Sequence, residues 1–75
     1  MDNQTCRFED WYRYDPINDR QVVRLLATTG KGTYNAEFAI VGAQALREKR
    51  KRFREYVIDC LEKGIEPHEV DMDDN

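Results

Sequence analysis

Along TCRFEDWYRY, Cys6, Phe8, Tyr12 and Tyr14 take alternate positions, and Arg7, Glu9, Trp11 and Arg13 fill the places between them. A period of two puts these sets on opposite faces of a strand, with Asp10 as an exception on the apolar side. The stretch DPIND follows. Pro16 presets φ there, and its Asp and Asn neighbours bond back to the backbone, so the strand is predicted to stop near Asp15. RQVVRLLATT and TYNAEFAIV are two further apolar runs, parted by Gly30-Lys31-Gly32. They read as a hairpin whose glycines supply positive φ, with Tyr34, Ala36, Phe38 and Ile40 on one face.

From 43 to 63 the period changes. Leu46, Phe53, Val57, Cys60 and Leu61 recur at steps of three and four among strong helix formers, which predicts one long helix of five to six turns. Gly64 suits the left-handed position after the last turn, Ile65 suits the apolar contact of a Schellman cap, and Pro67 forbids continuation. The start is poorly marked, because Gly42 is the one cap candidate. The segment IEPHEVDMDDN beyond Gly64 has five acidic residues and no basic one, and is predicted to be a solvated, largely unstructured tail. The expected architecture is α+β: a three-stranded antiparallel meander with one C-terminal helix packed on it, β-β-β-α, a single domain over 1–64 with a flexible acidic tail over 65–75.

A chain of 75 residues has a small core and little room for an enclosed catalytic pocket. Its N-terminal MDNQT is polar and acidic, unlike a secretory signal, and no apolar run reaches membrane-spanning length. A cytoplasmic location without membrane contact is therefore expected. Cys6 and Cys60 form no CxxC pair and share the chain with one histidine. They are expected to be reduced, buried thiols, with no metal and no cofactor. TTGKGT has some character of a phosphate-binding loop, but GxxxxGK[ST] is not satisfied and no helix follows it. Catalysis is the weakest hypothesis. The chain has no serine, His68 in a loose tail has nothing to fix its tautomer, and Glu9 and Asp10 face opposite ways.

Charge carries the strongest functional signal. Between Leu46 and Tyr56 stand six basic residues, in a chain whose net charge is −3. On a helical projection Leu46, Phe53, Val57 and Cys60 make the apolar stripe with Tyr56 at its margin. Arg47, Arg50, Lys51 and Arg54 make a basic stripe beside it, and Glu48, Glu55, Asp59 and Glu62 an acidic one with Arg52 among them. Glu48 can pair with Lys51 or Arg52, and Arg52 with Glu55, at about 0.2–0.5 kcal/mol each. Arg47, Arg50 and Arg54 have no favourable acid at these spacings. The basic half is also the N-terminal half, against the helix dipole.

The stripe has a bland reading and a functional one. Long arginine and lysine stems can cover the margin of a small core with their heads in water. The functional reading is docking on an anionic partner, for which arginine offers bidentate grip. The expectation taken forward is a small non-enzymatic regulatory protein, adaptor or inhibitor, docking on an acidic patch of a larger protein through Arg47, Arg50, Lys51 and Arg54, with Trp11 and Arg13 as further hot-spot candidates.

The alternative is nucleic-acid binding. In outline the predicted fold resembles the arm-binding domains of phage-type integrases and a plant DNA-binding domain, in which the open sheet face reads DNA. Here that face would offer Arg7, Trp11, Arg13, Thr33 and Asn35, and also Glu9 and Glu37. The sequence pI of about 5.1 argues against it. Self-association, with the basic stripe of one copy on the acidic tail of another, is a third reading.

Overall fold

The computed structural model describes residues 6–40 and 42–72. Three strands, β1 (Arg7–Asp15), β2 (Arg20–Thr29) and β3 (Gly32–Ala39), precede one helix, α1 (Ala43–Lys63). The strands form an antiparallel sheet in the order β1-β2-β3. This is the β-β-β-α architecture that the periodicities predict.

The turn at 16–19 is held by Asp15, whose carboxylate accepts from the Ile17 backbone N–H and the Asn18 side chain. Asp19 takes a φ of 51°, a conformation Asp tolerates better than most residues. In the second turn the positive φ belongs to Gly32 rather than Gly30. A Cβ on Gly32 would meet Pro67 Cγ at 3.0 Å, so this glycine also lets the C-terminal segment approach.

On the helix side Val23 lies between Tyr12 and Phe38, Leu25 between Asp10 and Ala36, and Ala27 between Phe8 and Tyr34. Phe53, Val57 and Cys60 are the buried helix positions and pack onto this face. The helix ends at Gly64 in the left-handed conformation, with the Ile65 N–H donating to the Cys60 carbonyl at 2.9 Å, the Schellman pattern the sequence indicates. Gly42 precedes α1 without a side-chain cap.

The expectation of a solvated tail is corrected over 65–72. Val70 and Met72 are buried in the core, at 6% and 4% exposure. The Asn35 N–H donates to the His68 carbonyl and the Val70 N–H to the Asn35 carbonyl, a parallel bridge on the outer edge of β3. The physical reason is alternation: Glu69 and Asp71 stay exposed while Val70 and Met72 face inward, so an acidic segment still buries an apolar side. The helix serves as the crossover that parallel pairing requires. Residues 73–75 of the predicted tail lie outside the described residues.

Candidate docking surface on the helix and the β1 edge

α1 runs over the middle of the sheet and reaches both flanks. Toward β3, the Lys49 ammonium sits 5.2 Å from the Phe38 ring centroid and its Nζ donates to the Met72 carbonyl. Toward β1, Phe53 meets Phe8 edge-to-face with centroids 6.4 Å apart. The Arg54 guanidinium lies 4.9 Å from the centroid of that same Phe8 ring. Arg50 pairs with the Asp10 carboxylate and donates to the Tyr12 hydroxyl at 2.6 Å.

The polar residue that broke the alternation of β1 is therefore used. Asp10 anchors Arg50 at the margin of the inner face, where both side chains keep contact with solvent. The Nε of Arg50 is enclosed without a hydrogen-bond partner, so its forked end carries the contacts.

Arg47 and Lys51 are exposed and make no hydrogen bond or ion pair among the described residues. The pairing of Lys51 with Glu48 that the spacing allows is thus not made. Arg47, Arg50, Lys51 and Arg54 line one shallow depression with Glu55 and Ile58. Two members of the row are braced against β1 and two are left for solvent or a partner. Farther along α1, Asp59 pairs with Lys63 at 3.1 Å, one turn on.

Trp11 and Arg13 do not join this stripe. β1 carries them on the opposite, uncovered face of the sheet, where Trp11 stands beside Arg24 and Arg13 beside Val22. Arg13 reaches Glu37 Oε2 at 3.1 Å and Arg24 reaches the same oxygen at 3.5 Å. Trp11, Arg13, Arg24, Leu26 and Glu37 line a second depression there. The six candidate residues fall on two surfaces separated by the thickness of the sheet.

β1 is the outer strand, and among the described residues its second edge has no pairing partner. Tyr12 and Tyr14, expected on the core side, do lie on the helix face but remain 50% and 52% exposed. The helix covers the middle of the sheet and leaves the margin open. Trp11 is 61% exposed on the other face.

His68 is better held than the sequence implies. Its Nδ1 is 2.8 Å from the Glu66 carbonyl and its Nε2 2.7 Å from the Tyr56 hydroxyl. A carbonyl only accepts, so Nδ1 carries the proton and, in the neutral ring, Nε2 accepts from Tyr56. Among the described residues no cluster of three or more His, Cys, Asp or Glu side chains could hold a metal, and both cysteines are free thiols, of which Cys60 is buried as expected and Cys6, just before β1, is only half-buried. No helix among the described residues is long and apolar enough to cross a membrane.

Compared with known proteins, the chain matches no family model, no curated protein and no solved structure.

Proposed function

We propose that the protein is a non-enzymatic binding module whose basic helix stripe docks on an acidic surface of a larger protein, in the manner of an adaptor or inhibitor. One observation carries the reading: Arg47 and Lys51 have no partner among the described residues, beside Arg50 and Arg54 that β1 holds in place. Arg50 and Arg54 are already engaged on β1, so Arg47 and Lys51 are the cations that an acidic partner would meet. A cytoplasmic location goes with this reading and is supported by two cysteines that form no disulfide.

Nucleic-acid binding remains the second reading, and the helix stripe serves it better than the open sheet face. On that face Glu37 occupies both Arg13 and Arg24, and a phosphate would meet a carboxylate there.

The test compares a fluorescent Glu- and Asp-rich peptide with a fluorescent DNA duplex, each titrated with the protein over a range of salt. The proposal expects saturable peptide binding that Arg47→Glu/Lys51→Glu abolishes. Tighter DNA binding, with a log-log salt slope of several phosphates, would replace it by the second reading.

A further inference from the structure

The free edge of β1 is complementary to itself. An antiparallel copy of RFEDWYRYD can be laid beside the original with Trp11 opposite Trp11. Arg7 then faces Asp15 and Glu9 faces Arg13, each pair occurring twice by symmetry. On the helix side Phe8 faces Tyr14 and Asp10 faces Tyr12. Every charged residue of the strand meets an opposite charge or a hydroxyl.

Neighbouring registers lose this match. A shift of two one way sets Arg7 opposite Arg13 and Asp10 opposite Asp10, and the other way sets Glu9 opposite Asp15. A shift of one turns inner faces against outer ones. Opposite charges across strands stabilise pairing, and like charges oppose it.

We infer that two copies of the chain join through β1, antiparallel and centred on Trp11, so that two three-stranded sheets become one continuous sheet. The other edge of the sheet is blocked at its middle, since the segment around Val70 bridges β3 at Asn35. A pairing in which one patch meets the same patch closes at two copies and removes the open edge that would otherwise recruit strands without limit. It also brings the exposed Trp11 rings of the two copies side by side on the open face, and on the helix face it sets Tyr14 of each copy beside Phe8 of the other.

The symmetry axis stands perpendicular to the sheet, so both helices lie on one side with their basic stripes flanking the axis. The two β2 strands are three strand spacings apart, about 14 Å, which leaves room for a helix over each, and Arg50 and Arg54, which reach toward β1, stay engaged by Asp10 and Phe8. The inference does not depend on what the helix stripe binds.

Sedimentation of the full chain over a concentration series tests it, with Glu9→Arg and Arg13→Glu alone and mixed. Each variant alone places like charges at two symmetric positions and should dimerise at least about tenfold more weakly. In the mixture, the arginine introduced in one chain faces the glutamate introduced in the other, and the native Arg13 of the first faces the native Glu9 of the second. The mixture should therefore recover dimer near the native affinity. Circular dichroism confirms that each variant is folded. A native chain that stays monomeric to about 1 mM, variants that dimerise as tightly as the native chain, or a mixture no tighter than its components would each overturn the inference.

Discussion

Val70 donates its backbone N–H to the carbonyl of Asn35 at 2.6 Å, which fixes the C-terminal segment along β3 and delivers Val70 and Met72 into the core. Deleting everything after Gly64 should therefore destabilise the fold instead of merely removing negative charge. Full burial of each of these side chains contributes about 1.5–3 kcal/mol, so the truncated chain should lose several kcal/mol in urea denaturation. An unchanged midpoint would show that the segment is not part of the folded unit.

Tyr34 is fully enclosed and its hydroxyl donates to the Ile65 carbonyl. Burial first, then the nearby Cys60 and Glu66, raise its pKa above the usual phenol value. A raised folded pKa gives stability that is complete below the unfolded value of about 10 and is lost as pH climbs through the folded one. Tyr34→Phe should remove this alkaline loss, together with the contact to the segment after the helix. Denaturation midpoints of both proteins on either side of pH 10 measure the difference.

Phe53 touches Phe8 and is 2% exposed at the centre of the helix's buried face. Phe53→Ala should cost about 3–5 kcal/mol, a large share of what so small a domain has. Loss of the cooperative thermal transition at room temperature is the extreme outcome, readable by circular dichroism.

Charge reversal at Arg47 and Lys51 should separate stability from binding. Neither residue has a partner among the described residues, and both are exposed. The double variant should match the native stability within about 0.5 kcal/mol in the same denaturation assay.

Much of the fold was legible because its signals are local. The switch from alternation to three-and-four spacing placed α1, and Gly64 with Pro67 marked its end through chain geometry alone. The segment 65–72 was not legible, because its acidic composition is that of a solvated tail and outweighs the short alternation in Glu69-Val70-Asp71-Met72. Whether such an alternation packs depends on a free edge of β3, which is a tertiary fact. The alternation of β1 told which face Tyr12 and Tyr14 occupy; whether the helix is wide enough to cover them is likewise a tertiary fact. The basic stripe was visible as helix geometry. Its bracing by Asp10 and Phe8 was not, since those contacts join residues about forty positions apart in sequence. Trp11 and Arg13, by contrast, were placed by alternation alone on the open face, away from the helix that carries the stripe.

The most direct measurement is capture of partners from cell lysate, with and without nuclease treatment, on immobilised native protein, beside the Arg47→Glu/Lys51→Glu variant at the same salt. The account predicts a stoichiometric acidic protein on the native chain and its absence from the variant. Equal retention by both, or loss of all bound material on nuclease treatment, would contradict docking of a protein through the helix stripe.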